Sequence, residues 1–204
     1  LDRPELFVGI HFFNPVHKMK LVEVVRGDKT SDETVSRAVK FVQSIGKLPV
    51  VVNDSPGFAV NRVLMPYLIK ACEMLSNGHK IEDIDAAMVK FGMPMGPFRL
   101  MDEIGIDVCQ HVVTDISERL QWRSIPNTLQ KLIKENKLGK KSGSGFYTYK
   151  KGKTIKRKVK ITLEDKKTIK IKLAIPLSNE AQRVVDEGIV ETPDDVDFAM
   201  IMGT

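Results

Sequence analysis

The run LPVVVNDSPGFAVNRVLMPYL (residues 48–68) carries a change of period that divides the chain. LPVVV is a short continuous apolar stretch, the kind found in a parallel strand buried on both faces. Ser55 and Pro56 then supply an N-cap and a first helical position. From there Phe58, Met65, Leu68, Cys72 and Leu75 recur at helical spacing, with Asn61 on the same face and Pro66 set to kink the helix before a stop near Gly78. An α/β segment must therefore end at residue 54 and a helical one begin at residue 55.

Upstream of that switch, Phe7 to Phe13 and Leu21 to Val25 read as strands, joined by a segment holding Pro15. TSDETVSRAVKFVQSIGK reads as a helix capped by Ser31, with Val35, Ala38, Val39 and Val42 on one face and Gly46 as its stop. Strand, strand, helix, strand is the tail of an α/β domain. Two polar residues interrupt its apolar runs, His11 and Glu23. A hairpin centred near His17 sets them opposite each other, and buried polar groups persist only when paired or kept for chemistry.

Downstream, IEDIDAAMVKFG, RLMDEIGIDVCQHVVTDISERL and NTLQKLIKENK read as helices, followed by a Lys-Ser-Gly-Ser-Gly turn (141–145) and a short extended FYTY. The chain then repeats itself. MPYLIKACEMLSNG with IEDIDAAMVKFG aligns with IPLSNEAQRVVDEG and TPDDVDFAMIMG, pairing Pro66 with Pro176, Gly78 with Gly188, Asp85 with Asp197 and Met88 with Met200. The expected organisation is residues 1–54 as the end of an α/β domain, 55–149 helical, 150–172 a basic linker, and 173–204 the start of a second helical copy. The pattern is that of a chain cut at both ends.

The net charge of +6 is concentrated in residues 150–172, crowded with Lys and Arg against only Glu164 and Asp165. That segment lacks an aromatic to stack on bases, and its alternation of Lys with Val or Ile reads as a solvated linker or exposed strand pair, so nucleic acid is not an expected partner. No apolar run approaches the roughly 18 residues of a membrane span, and no signal peptide opens the chain. Cys72 and Cys109 form neither a CxxC nor a His-flanked cluster, so no metal site or disulfide framework is expected and a reducing, cytoplasmic location fits.

HFFNPVHKMKLVEVVRG, VVNDSPGFAVNRVLMPYL, GMPMGPFRLMDEIGIDV and KLGKKSGSGFYTYK together resemble the L-3-hydroxyacyl-CoA dehydrogenase family, in the family's order and over nearly all of residues 7–149. The partial second copy is most similar to the dehydrogenase region of multifunctional fatty-acid oxidation α-subunits, which carry an enoyl-CoA hydratase part upstream. The resemblance implies the tail of a Rossmann-type NAD-binding domain, then the mainly α-helical C-terminal domain of that family, then part of a second helical repeat.

It also implies a reaction: NAD-dependent oxidation of a 3-hydroxyacyl-CoA to the 3-oxoacyl-CoA of fatty-acid β-oxidation. The 3-hydroxyl must lose a proton as hydride leaves, a task suited to histidine. By resemblance His11 is the catalytic histidine, Glu23 its acidic partner, Asn61 the amide that holds the reacting oxygen, and Asn14 and Lys141 cofactor contacts. A thiolase subunit and a homodimer through the helical domain are the implied partners. The family's glycine-rich loop has no counterpart, since no GxGxxG follows a strand, so this stretch alone is expected to lack appreciable dehydrogenase activity. Met202 stands where some multifunctional relatives have an aromatic. A non-catalytic helical interaction module and a single-function 3-hydroxybutyryl-CoA dehydrogenase are the competing readings. Asp102, Asp107, His17, His79 and His111 are expected to be structural.

Overall fold

A computed structural model describes residues 1–122, 127–154 and 163–204, with only the backbone for 163–166. Its elements are β1 (Gly9–Phe12), β2 (Leu21–Arg26), α1 (Asp32–Ser44), β3 (Leu48–Asn53), α2 (Val60–Ser76), α3 (Ile81–Phe91), α4 (Pro97–Ile104), α5 (Ile106–Leu120), α6 (Thr128–Lys134), β4 (Tyr149–Lys150), β5 (Lys153–Thr154), α7 (Leu163–Asp186) and α8 (Pro193–Gly203). They form two compact units, residues 1–63 with 179–204, and residues 64–178.

In the first unit β1 pairs antiparallel with β2, and β2 parallel with β3, in the order β1-β2-β3. Helix α1 is the crossover that a parallel pair requires. Ser31 caps it, accepting from the Thr34 N–H, and Gly46 at φ +74° ends it. The central strand β2 is buried on both faces. Val22 and Val24 pack with Val35, Ala38 and Val42 of α1. Leu21, Glu23 and Val25 alternate to the opposite face, where Gly203 of α8 lies against Leu21 and Val60 so closely that a Cβ there would sit 2.8 Å from Leu21. Asn53 at the end of β3 donates its backbone N–H to Ile189 O at 2.7 Å and its carboxamide to Gly188 O at 2.7 Å. Residues 179–204 thus complete the first unit.

Helix α2 begins at Val60, not at Pro56 as its sequence suggests. Gly57 and Phe58 take positive φ values of +81° and +51°, which no helix accommodates. Ser55 does not cap; its hydroxyl accepts from Arg62.

In the second unit the expected long helix after Pro97 breaks at Gly105, φ +109°, into α4 and α5. Two buried carboxylates tie the pieces together. Asp85 of α3 accepts the Phe98 and Arg99 N–H groups at the start of α4, and the Tyr147 hydroxyl. Asp102 of α4 accepts the Phe146 and Tyr147 N–H groups and the Tyr149 hydroxyl. Gly145 is pressed so closely on this clamp that a Cβ would fall 2.0 Å from Asp102 Oδ1. Cys72 and Cys109 are free and line a small apolar cavity with Leu68, Met101, Val113 and Leu129, where burial pushes both thiols up to about 12.

The basic segment differs from expectation. Tyr149–Lys150 and Lys153–Thr154 pair as a short antiparallel hairpin, residues 155–162 lie outside the described residues, and α7 starts at Leu163, well before residue 173. Alternation of Ile and Lys mimics a strand there, but Ile169 and Leu173, four residues apart, are fully buried, and that helical spacing decides the conformation. The repeat has a local structural echo. Pro66 and Pro176 are each inside a helix, Gly78 and Gly188 each take positive φ beyond its end, and α3 and α8 are each 11 residues long. Asp85 is buried and Asp197 exposed.

Burial, outweighing the hydrogen bonds that oppose it, raises Asp85 to about 6. The folded state therefore holds this proton more tightly than the unfolded chain, whose carboxyl titrates near 3.8. Stability falls as pH rises through that interval and levels off above it. At about 1.4 kcal/mol per pH unit the effect is of order 3 kcal/mol. Urea denaturation from pH 4 to 7 should show wild type losing stability relative to Asp85→Asn as pH rises; parallel curves would contradict the assignment.

Candidate active site

The antiparallel register places His11 directly opposite Glu23. Both side chains lie on the same face of the sheet, and His11 Nδ1 meets Glu23 Oε2 at 2.6 Å. Glu23 is fully buried among apolar strand neighbours, while the His11 side chain is 29% exposed. The second carboxylate oxygen, Oε1, accepts the N–H groups of Ala59 and Val60 at 3.1 and 3.0 Å, where α2 begins. Glu23 therefore does from another strand what Ser55 fails to do locally: it satisfies the orphan amides of the helix start and places a negative charge at the positive end of the helix dipole.

An ionised carboxylate only accepts, so Nδ1 carries the hydrogen it donates to Glu23, and in the neutral form of the ring Nε2 keeps its lone pair. The imidazole is oriented from below and flanked by two rings, Phe13 at 4.8 Å and Phe58 at 5.4 Å between centroids. Phe58 holds a left-handed backbone conformation that costs a bulky residue energy, a kind of strain that gathers at functional sites. Chemically the arrangement is a general base with a fixed tautomer, a buried counter-charge ready to stabilise its protonated form, and one nitrogen open to a reactant.

Asn61 follows Val60 on the first turn of α2, half-buried, and its carboxamide makes no hydrogen bond to the described residues. It is thus one residue from a Glu23-bound amide. Asn14 is exposed in the turn that leaves β1, three residues after His11. Lys141 belongs to the second unit, in a 3-10 turn, where its ammonium meets Asp107 Oδ2 at 2.7 Å and holds that carboxyl below its ordinary value. Asp107 is partly exposed rather than a core group, whereas Asp102 is fully structural.

The residue pattern does not reveal Phe58 as a wall of the site, because it counts as one more apolar position of the helix. Gly57 beside it, in PGF, is the local sign of a turn that delays the helix. Arg62, buried and bonded to Ser55, Glu180 and Glu187, is likewise invisible to local pattern.

An imidazole paired to a buried glutamate thus sits on the strands of an α/β unit that leads into helices. Residues 1–55 match the NAD binding domain of 3-hydroxyacyl-CoA dehydrogenase and residues 57–149 match the C-terminal domain of 3-hydroxyacyl-CoA dehydrogenase. The chain belongs to the 3-hydroxyacyl-CoA dehydrogenase family. It is 42% identical to the fatty acid oxidation complex subunit alpha of Vibrio cholerae, over 99% of this chain and 30% of that protein. Among solved structures it is similar to 3-hydroxybutyryl-CoA dehydrogenase from Escherichia coli K12, with a TM-score of 0.81, 25% identity and coverage of 96% of this chain and 60% of that one. It is also similar to the dehydrogenase part of multifunctional enzyme 1 from C. elegans, with a TM-score of 0.69, 26% identity and coverage of 100% and 49%. The chain spans about a third of the length of the curated relatives it matches.

Glu23→Ala should be costly to the fold itself, since it strands two amide N–H groups and an imidazole N–H in a buried place. A loss of about 3 kcal/mol or more is expected in urea denaturation. A loss under about 1 kcal/mol would mean that the carboxylate is not the support described.

Proposed function

We propose that this chain is part of an NAD-dependent L-3-hydroxyacyl-CoA dehydrogenase acting in fatty-acid β-oxidation, and that His11 is its base. The observation that carries the reading is the His11–Glu23 pair at 2.6 Å, with Nε2 directed away from the carboxylate. In the oxidation direction Nε2 takes the proton of the 3-hydroxyl, and the imidazolium so formed is stabilised by Glu23, whose charge is already in place and needs no reorganisation. Asn61 donates from its free carboxamide to the reacting oxygen, holding it against the base. Phe13 and Phe58 keep the ring from rotating and exclude water from one side.

Taken separately, each residue has the chemistry of a dinucleotide contact: Asn14, in the first unit, offers a carboxamide with no hydrogen bond to the described residues, and Lys141, in the second, offers a cation whose pairing among the described residues is one exposed carboxylate, the kind worth little and readily exchanged. NAD, when bound, supplies the acceptor for the hydride. We assign Asn14 and Lys141 to its contacts, residues 1–54 to the end of its domain, 55–149 to the helical domain, and 173–204 to the start of a second helical copy.

The 42% identity to oxidation-complex α-subunits, against 25% to a 3-hydroxybutyryl-CoA dehydrogenase that covers nearly as much of the chain, supports a multifunctional protein with a hydratase part upstream over a single-function enzyme. A thiolase-type partner accords with those relatives being named as subunits of a complex, and a homodimer through the helical domain is the alternative assembly. No described helix is long and apolar enough to cross a membrane, and both cysteines are free. We propose a cytoplasmic location as part of the same reading.

Oxidation of NADH with acetoacetyl-CoA by the full-length protein tests the assignment. His11→Gln should lower kcat about 10²- to 10⁴-fold, the range lost with a general base. Asn61→Ala should lower kcat by roughly 10- to 100-fold, less than a designed oxyanion donor. His11→Gln with turnover within threefold of wild type would sink the proposal.

A further inference from the structure

We propose that Glu180, on α7, is a positioning residue for the His11–Glu23 pair, acting through Arg62, and that the second helical copy is thereby a working part of the dehydrogenase site. The inference rests on the function proposed above.

Arg62 is 2% exposed and Glu180 3%, and neither belongs to any apolar logic of its helix. Their contact is direct, Arg62 Nε donating to Glu180 Oε1 at 2.9 Å. The rest of the guanidinium is also committed: Nη1 donates to Ser55 Oγ at 3.1 Å, and Nη2 meets Glu187 Oε2 at 2.7 Å. Glu180 receives a second cation, Arg183, at 3.3 Å. Two charges taken out of water with each guanidinium nitrogen aimed at an acceptor are an expensive way to fill space, and apolar residues of like volume are often as stabilising. The network's distinctive feature is where it grips.

Ser55 and Arg62 are the two ends of the segment that enters α2. Inside that segment lie Phe58, strained and packed on the His11 ring, and Ala59 and Val60, whose N–H groups hold Glu23. The Arg62–Ser55 bond closes this turn into a loop, helped by the Arg62 N–H donating to Gly57 O at 3.1 Å. A turn with a left-handed phenylalanine relaxes unless its surroundings over-determine it. Glu180 on α7, 118 residues away from Arg62 in the chain, and Glu187 just past the end of that helix supply the restraint. The linkage therefore runs from α7 through Arg62 to the Ser55–Val60 turn, then to Glu23, then to the tautomer and orientation of His11.

The consequence separates positioning from support. In the full-length protein, Glu180→Ala should reduce kcat for acetoacetyl-CoA reduction at least tenfold while KM for either substrate stays within twofold, because the loosened segment carries Asn61 and supports His11, the groups that act on the reacting oxygen, and not those that bind the rest of the substrates. Glu180→Asp, which keeps the charge on a shorter arm, should recover at least a third of the lost activity. The paired change Arg62→Met with Glu180→Leu tests the same point without a stranded charge: thermal unfolding should stay within a few degrees of wild type while kcat remains at least tenfold down, since Ser55 has lost its partner. Wild-type kcat in that folded apolar pair would overturn the inference, as would a Glu180→Ala loss that appears in KM alone. Both outcomes are read against His11→Gln: if that variant is inactive and the Glu180 variants are normal, the positioning role fails and the function stands; if His11→Gln keeps its turnover, the function fails.

Discussion

One buried carboxylate organises the first unit. Glu23 sits at the centre of a strand whose other side chains, Arg26 at its end apart, are aliphatic, where an unpaired charge is untenable. All the acceptor capacity it uses is directed at two structures, the imidazole on β1 and the first amides of α2. The sheet register, the delayed start of the helix and the tautomer of His11 are thus consequences of a single requirement for solvation. Removing any of the three leaves the charge short of a partner.

That requirement explains the division between what the sequence discloses and what it hides. The strands, α1 with its Ser31 cap, and the opposition of His11 and Glu23 were legible because alternation and helical spacing are local signals that tertiary packing did not override. Local pattern misplaces the start of α2, since Ser-Pro is a sound helix opening on local grounds and nothing nearby announces that a carboxylate 36 residues earlier in the chain provides the cap. Gly105 divides α4 from α5 for a similar reason: one positive-φ residue inside an otherwise continuous helical pattern is a weak signal. The I-K-I-K run of the basic segment favoured a strand or linker by composition, and the burial of Ile169 and Leu173 made it helical.

The site divides the same way. His11, Glu23 and Asn61 stand out because polar residues in apolar runs are conspicuous. Phe58 and Phe13 do not, being apolar among apolar neighbours, although they form the walls of the imidazole's pocket. Arg62, Glu180 and Glu187 look like ordinary surface charges on helices. Only the folding of residues 179–204 against the strands brings them together and removes them from water. Chain separation, more than chemistry, determined what could be seen.

The Asp102 clamp carries a consequence for how Lys141 can act. Phe146, Tyr147 and Tyr149 are fastened to α4, and Gly139 and Gly145 leave no room for the backbone between them and Asp102 to shift. The loop bearing Lys141 is therefore a rigid bracket, and among the described residues its lysine is tethered by one exposed carboxylate. In the cofactor contact proposed for Lys141, a phosphate would be met by a swing of four methylenes that exchanges one anion for another, with the bracket already built. The ordering cost of such a contact is confined to a single side chain, and its strength should follow ionic strength more than any movement of the backbone.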